Sequence, residues 1–223
     1  MQLQEKHFAI LRRHMVEVIG ITVELTSAEL GKDTLDSRVM AAMGRVPRHI
    51  FVPRELAFHA YDNSPLPVRF AKTISQPFIV AVMTDLLAVD SGNAVLEVGT
   101  GVGYQTSILA GLAREIWSVE VVEELAAIAE EHVRAQAWNN VHIRVGDGSR
   151  GWPEHAPFDR ILVSAAAPDI PAALVEQLSP GGRLVMPVGP AGAQTLTVIA
   201  KDGGGRISSR AVMPVRFTQL ETV

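Results

Sequence analysis

Apolar positions along the chain fall into three textures. Over residues 1–60 they recur at helical spacing, with Phe8, Leu11, Met15, Val18 and Ile19 in one run and Leu35, Val39 and Met43 in another. Residues 61–75 read as an irregular stretch with prolines, Tyr61-Asp62-Asn63-Ser64-Pro65-Leu66-Pro67 and onward. From residue 76 short apolar runs alternate with amphipathic ones. Strands are expected at Ala94–Val98, Ile116–Val119, Val141–Val145, Phe158–Ser164, Arg183–Val188, Thr195–Ala200 and Ser208–Phe217. Helices are expected at Phe78–Leu87, Tyr104–Ala113, Val122–Ala137 and Ile170–Leu178. Strand-helix alternation predicts an α/β fold with a doubly wound, mostly parallel sheet covered on both faces. Gly203-Gly204-Gly205 between the last two strands predicts an antiparallel hairpin at the C-terminal edge. The expected organisation is an N-terminal helical cap and loop over residues 1–75 and a cofactor-binding domain over residues 76–223.

The glycine-rich run Gly99-Thr100-Gly101-Val102-Gly103 directly follows the strand Ala94–Val98 and opens a helix. Glycine permits a tight turn and a close approach of ligand to backbone. Three carboxylates accompany it. Glu97 precedes the loop, Glu120 ends the next strand, where it can accept both hydroxyls of a ribose, and Asp147 ends the third, where it can meet an adenine edge. Carboxyl ends of parallel strands are where open α/β sheets bind ligands. A dinucleotide fingerprint reads Gly-x-Gly-x-x-Gly, with the pyrophosphate on the helix N-terminus. Here the third glycine comes one residue early and Tyr104 holds the fingerprint position. Glu97 repels a phosphate and welcomes an ammonium or a sulfonium. The pattern therefore suits S-adenosylmethionine better than NAD.

Composition narrows the partners. The chain of 223 residues is long enough for one well-buried domain with a small cap. Its formal net charge of −4 provides no basic field for nucleic acid. With no cysteine there is neither a disulfide nor a thiolate metal site, which suits a reducing compartment. Charges at Glu5, Lys6, Arg12, Arg13 and Glu17 argue against a signal peptide, and the longest apolar runs stop short of a membrane span. A soluble cytoplasmic protein without membrane partners is the expectation.

Longer segments carry a family resemblance from about Arg38 to the C-terminus. They are Val46-Pro47-Arg48-His49-Ile50-Phe51-Val52-Pro53, Ala60-Tyr61-Asp62, Pro65-Leu66-Pro67, Thr73-Ile74-Ser75-Gln76-Pro77, the glycine loop through Tyr104-Gln105, Gly146-Asp147-Gly148, Ala156-Pro157-Phe158-Asp159, Gln177-Leu178-Ser179-Pro180-Gly181-Gly182 and Pro187-Val188-Gly189. In these the chain resembles protein-L-isoaspartate O-methyltransferases. The resemblance implies methyl transfer from S-adenosylmethionine to the α-carboxyl of L-isoaspartyl residues in damaged proteins or peptides. The methyl ester then closes to a succinimide that can reopen as aspartate. It places the active-site serine at Ser75. Cofactor contacts fall on Gln76, Pro77, Phe78, Glu97, Gly99, Thr100, Gly101, Gly103, Gln105, Glu120, Asp147 and Gly148. The substrate side falls on Asp62, Pro65, Leu66, Arg69, Lys72, Thr73 and Phe217. Ser75 has a second reading as the N-cap of the helix that follows, with proline in its first turn.

Two stretches depart from the family run, both on the implied substrate side. Val68-Arg69-Phe70-Ala71-Lys72 stands where the family has two glycines and a glutamine, at Arg69, Ala71 and Lys72, and Phe217-Thr218-Gln219-Leu220 where it has Phe-Val-Pro-Leu. A left-handed glycine position resists such a change, so the backbone here is expected to run differently. Two cations at Arg69 and Lys72 raise the alternative of a small acidic carboxylate as acceptor. More distant readings are a NAD-binding oxidoreductase, against which the glycine spacing and Glu97 argue, and a module that binds the cofactor without turnover. None of His7, His14, His49, His59, His132, His142 or His155 pairs with another ligand at metal spacing, so no metal is expected.

Overall fold

Phe8, Met15, Ile19 and Val23 lie on one stripe of α1 (Gln2–Leu25), and all four are buried. A single turn, α2 (Ser27–Leu30), ends at Gly31 in the left-handed region (φ 73°). In α3 (Ser37–Arg45) the Asp36 side chain caps the Arg38 amide at 2.8 Å, and Val39, Ala42 and Met43 are buried. Two short 3₁₀ turns, Arg48–Phe51 and Arg54–His59, lead into the loop segment. The segment is more ordered than its prolines suggest: β1 (Leu66–Pro67) and β2 (Thr73–Ile74) pair antiparallel, Leu66 with Ile74 and Pro67 with Thr73. The chain then enters α4 (Pro77–Leu87), buried from Val80 through Leu87 and apolar around its whole circumference apart from Thr84 and Asp85. Asp85 accepts from Lys32 Nζ at 2.8 Å and from the Asp36 amide at 2.7 Å, which anchors the turn before α3.

The computed structural model describes residues 2–223. They divide into two units, Met1–Asp85 and Leu86–Val223, so the division falls near the end of α4, whereas the sequence reading puts it ahead of that helix. Among the described residues no helix is long and apolar enough to cross a membrane.

The second unit is built on seven strands: β3 (Ala94–Val98), β4 (Glu115–Glu120), β5 (Val141–Val145), β6 (Phe158–Val163), β7 (Leu178–Val188), β8 (Gln194–Lys201) and β9 (Ile207–Val215). Their order is β5-β4-β3-β6-β7-β8-β9, parallel through β7 and antiparallel for β8 and β9. Helices α5 (Tyr104–Ala110), α6 (Glu123–Ala135) and α7 (Ala172–Glu176) join them, with 3₁₀ turns at Gly148–Arg150 and Pro153–His155. This is the expected doubly wound α/β sheet with its C-terminal hairpin. Asp202 Oδ1 accepts the amides of Gly204 and Arg206, both at 2.9 Å, and so closes the glycine turn. The order reverses between β3 and β6, so the loops after these strands flank the switch point where such sheets open a crevice. At the opposite end, the Asp159 carboxylate accepts the Ala94 amide at 2.8 Å and aligns the two strands.

Three elements differ from expectation. α5 stops at Ala110, because Gly111 follows and the Leu112 and Ala113 amides turn back to the Leu109 carbonyl. α7 is only five residues long, entered from Pro171 and left at Gln177. β7 reaches back to Leu178, which pairs with Phe158, and the ladder resumes at Arg183 opposite Arg160, with Ser179–Gly182 looped out between.

The turn between β1 and β2 keeps a backbone that favours glycine. Lys72 N–H reaches Arg69 O at 3.2 Å, and the central residues Phe70 and Ala71 have φ of 57° and 54°. Positive φ at both positions belongs to primed hairpin turns, which select Asn and Gly. Ala71 thus adopts a left-handed conformation without the residue that adopts it freely. A left-handed Cβ costs roughly 1–2 kcal/mol, partly offset by the larger unfolded-state entropy of glycine. Ala71→Gly is accordingly expected to raise stability by about 0.5–1 kcal/mol in urea denaturation. A loss of stability would contradict the left-handed assignment.

Candidate active site

Strand alternation sends Leu96 and Val98 into the apolar cluster around Phe158, Ile161 and Leu184, and Glu97 to the opposite face of β3. There Glu97 is fully buried, and its cross-strand neighbour on β4 is Ser118. Glu97 Oε2 accepts from Ser118 Oγ and from Thr106 Oγ1 on α5, each at 2.6 Å. Thr100 Oγ1 lies 2.6 Å from Ser118 Oγ. Since the Ser118 proton points to the carboxylate, Thr100 is the donor in that contact. The other oxygen, Glu97 Oε1, is buried without a hydrogen-bond partner. Burial pushes the Glu97 carboxyl up to about 7 from 4.5, against the lowering effect of the Ser118 and Thr106 hydroxyls and helped by the nearby charge of Glu120. The acid read as lying beside the loop is thus enclosed by hydroxyls, with one oxygen in reserve.

The glycine loop is held by side chains from several directions. Glu120 Oε2 accepts the Gly101 amide at 2.7 Å, and its Oε1 accepts the Val122 amide at 3.1 Å. His132 on α6 sits 2.8 Å from the Val102 carbonyl through Nδ1, so the proton is on that nitrogen. Ser107 Oγ donates to the Gly103 carbonyl at 2.8 Å. Gly101 (φ 57°) and Gly103 (φ 89°) are both left-handed. A Cβ on Gly101 would meet nothing within 4 Å, which leaves its backbone open to a ligand, whereas one on Gly103 would press on Ala129 of α6 at 3.3 Å. Gln105 is buried in the first turn of α5.

Asp147 caps the 3₁₀ turn after β5, accepting at Oδ1 from the Ser149 amide at 2.9 Å and the Ser149 hydroxyl at 2.6 Å. Burial pushes its carboxyl up, but these hydrogen bonds and Arg150 outweigh that and hold it below the usual carboxylate range. A side chain at Gly148 would collide with Val98, so only glycine passes there. Gln177, noticed in the sequence only as part of a motif, fastens this turn: its Oε1 accepts the Trp152 amide and its Nε2 donates to the Arg150 carbonyl, both at 2.8 Å. Phe217 is tied through its backbone, with Gln194 Oε1 accepting its amide at 2.6 Å and Gln194 Nε2 donating to its carbonyl at 3.0 Å. Beyond it the Thr218 carbonyl and Leu220 amide bracket Ala166, beside the end of β6.

The remaining candidates belong to the first unit. Ser75 is half-buried, and its carbonyl accepts from Arg48 Nη2 at 2.7 Å. It does not occupy the cap position of α4. Gln76 does, its carbonyl accepting the Val80 amide at 3.1 Å, and the early amide of Phe78 is satisfied by Asn63 Oδ1 at 3.1 Å. Gln76 Nε2 also donates to the Asn63 carbonyl at 2.9 Å. The cap reading of Ser75 is thus corrected, and Asn63 enters as an organiser that sequence pattern did not single out. Asp62 is exposed beside His59, with Oδ2 to Nδ1 at 3.0 Å. Pro65, Arg69 and Thr73 are exposed, and Leu66 and Lys72 half-buried, on or next to the β1–β2 hairpin; Pro77 and Phe78 are buried in the first turn of α4.

The second unit's donor set fits an adenosyl cofactor that carries a cation and no phosphate. Each Glu120 oxygen accepts one amide and keeps capacity for a ribose hydroxyl. The backbone at Gly101 is open, and Glu97 holds an unpartnered oxygen. A pyrophosphate would face Glu120 with no cation among the loop residues Gly99–Gly103.

Comparison with known proteins agrees. The family model described as Protein-L-isoaspartate(D-aspartate) O-methyltransferase (PCMT) matches residues 25–222. Protein-L-isoaspartate O-methyltransferase 1 of Polaromonas sp. is 49% identical over 219 residues, 98% of this chain and 93% of that protein. Protein-L-isoaspartate O-methyltransferase 2 of Syntrophobacter fumaroxidans is 50% identical over 214 residues, 96% of this chain and 87% of that protein. Among solved structures, the Plasmodium falciparum chain assigned as a protein-L-isoaspartate O-methyltransferase, in complex with S-adenosyl-L-homocysteine, superposes with a TM-score of 0.73 at 23% identity, over 90% of this chain and 97% of that one. The fold is thus the Rossmann-like fold of S-adenosylmethionine-dependent methyltransferases.

The environment of Glu97 makes stability depend on pH. Its folded-state value of about 7 lies above the ordinary 4.5, so folding disfavours the ionised form. Below pH 4.5 the acid is neutral in both states and no penalty applies. The penalty grows as pH rises to about 7 and is constant above that. Glu97→Gln, which stays neutral, should therefore gain on the native chain by about 3 kcal/mol between pH 4.5 and pH 8 in denaturant titrations. A pH-independent difference between the two proteins would refute the assignment.

Proposed function

This chain belongs to the protein-L-isoaspartate(D-aspartate) O-methyltransferase family, and we propose that it methylates the α-carboxyl of L-isoaspartyl residues in damaged proteins and peptides. The observation that carries the reading is the glycine loop bound by Glu120 and left open at Gly101, in a chain that matches its relatives along nearly its whole length. Bound S-adenosylmethionine supplies the methyl group. Glu120 would hold the ribose hydroxyls, the backbone of Gly99–Gly103 would lie against the amino-acid part, and Asp147 and Gly148 would border the adenine. Gln76, Pro77, Phe78 and Gln105 follow as further contacts from the resemblance.

The chemistry asks little of acids and bases. The acceptor carboxylate is ionised at neutral pH, its ordinary value lying near 4, and needs no general base. A neutral thioether leaves without a proton. What remains for the protein is to align the acceptor oxygen and to keep water from it. Ser75 is the proposed hydroxyl that holds the acceptor, with Asp62, Pro65, Leu66, Thr73 and Phe217 around the substrate and Arg69 and Lys72 adding positive charge toward an anionic peptide. A cytoplasmic setting suits a chain without cysteine.

Incubation with methyl-labelled cofactor, an isoaspartyl peptide and its aspartyl twin tests the acceptor. Base-labile methyl ester is expected on the isoaspartyl peptide alone, at a rate indifferent to added citrate. Equal labelling of both peptides, or inhibition by citrate that high salt relieves, would point to another acceptor. Separately, Glu120→Ala should weaken S-adenosylhomocysteine binding in calorimetry by about 2–4 kcal/mol, roughly 30- to 1,000-fold, through loss of charge-assisted bonds and of the Gly101 brace. Unchanged affinity would remove Glu120 from the site.

A further inference from the structure

Arg48 is the largest fully buried side chain among the described residues, with no exposed surface. It opens the Arg48–Phe51 turn after the extended Pro47, and its guanidinium lies among backbone groups. Nε donates to the carbonyl of Ala60 and Nη2 to the carbonyl of Ser75, both at 2.7 Å. Taking a guanidinium out of water carries a desolvation cost of several kcal/mol, which an aliphatic side chain of similar volume avoids. Retaining it requires a geometric task that packing cannot perform.

The two carbonyls define that task. Ala60 closes the Arg54–His59 turn and opens Ala60-Tyr61-Asp62, the start of the acceptor-side segment. Ser75 stands between β2 and α4, where neither ladder nor helix takes up its carbonyl. Arg48 joins the two, which lie 12 and 27 residues after it in sequence, and its two donors diverge in one rigid plane. A lysine ammonium is a single point and cannot hold both directions. Asn63 works beside it, bonding Phe78 N–H, the Gln76 side chain and, at 3.3 Å, Thr22 Oγ1 of α1. On the far side the ladder pairs Ile74 with Leu66. Ser75 is thereby placed from both neighbours and from beneath.

We propose that Arg48 is a positioning residue for the methyl transfer: its guanidinium fixes the Ser75 backbone against the Ala60–Leu66 segment, and so fixes the hydroxyl that meets the acceptor. Arg48 touches neither substrate nor cofactor. The inference rests on the role given to Ser75 under the proposed function.

A cycle of Arg48→Lys and Ser75→Ala in the full chain separates the two claims. Arg48→Lys should lower kcat for isoaspartyl peptide at least 10-fold, with S-adenosylhomocysteine affinity, read by calorimetry, within 3-fold of the native value. In the Ser75→Ala background the same change should cost less than a further 2-fold in kcat, since the positioned hydroxyl is gone. Native kcat in Arg48→Lys, or the same loss with and without the Ser75 hydroxyl, overturns the positioning role while leaving the Ser75 assignment intact. Native kcat in Ser75→Ala overturns the Ser75 assignment and the inference together. If Arg48→Lys does not fold, Arg48→Ala supplied with methylguanidinium carries the test. Recovery of kcat by the free cation supports the role, and no recovery at saturating cation refutes it.

Discussion

The second unit turns on the hydrogen bond from the Gly101 amide to the Glu120 carboxylate. Backbone bonds satisfy the ends of the loop, Gly99 N–H to Val119 O and Gly103 N–H to Thr100 O, but the left-handed residues at its centre leave groups that side chains take up. Glu120 takes the Gly101 amide, His132 and Ser107 take the next two carbonyls, and Thr100 docks through its hydroxyl on Ser118. The Ser118 hydroxyl passes that constraint to Glu97, and Thr106 returns it to α5. The loop, two strands and a helix thus share one polar network in an apolar interior, where each bond strengthens and each loss is costly. Glu120 serves twice here, as a brace for the backbone amides and as an acceptor suited to a ribose.

Much of this was legible in advance because it follows from local pattern. Ala94–Val98 is a mostly apolar run and Val141–Val145 an alternating one, each bounded by turn residues, and the structure reproduces both. The glycine triplet forecast the β8–β9 hairpin, and the carboxylates at the strand ends appeared where a parallel sheet puts them. What stayed hidden was long-range and polar. Gln177 serves the turn at Arg150–Trp152, Asn63 serves α4, and Arg48 serves Ser75 27 residues away. Their partners are backbone groups, which leave no signature in composition or periodicity. The sequence reveals Glu97 but not its surroundings. Distance along the chain puts it beside the loop, whereas strand alternation turns it under α5, and the Ser118 pairing decides the matter.

The two units solve different problems. In the second, glycine stands wherever the backbone approaches closely, as at Gly103 over Ala129 and Gly148 beside Val98. In the first, the β1–β2 turn keeps its left-handed shape with Phe70 and Ala71, a strained choice next to residues assigned to the acceptor. Order there comes from polar anchors, the buried Arg48 and the half-buried Asn63, rather than from a ladder, which is only two residue pairs long.

The position of the bound ribose tests the role of Glu120 most directly. A crystal structure of the S-adenosylhomocysteine complex measures it. Both ribose hydroxyls are expected within hydrogen-bond distance of the Glu120 carboxylate, with the Gly101 amide still bonded to Oε2. A ribose held elsewhere, or a glycine loop that releases Glu120 on binding, would contradict the account.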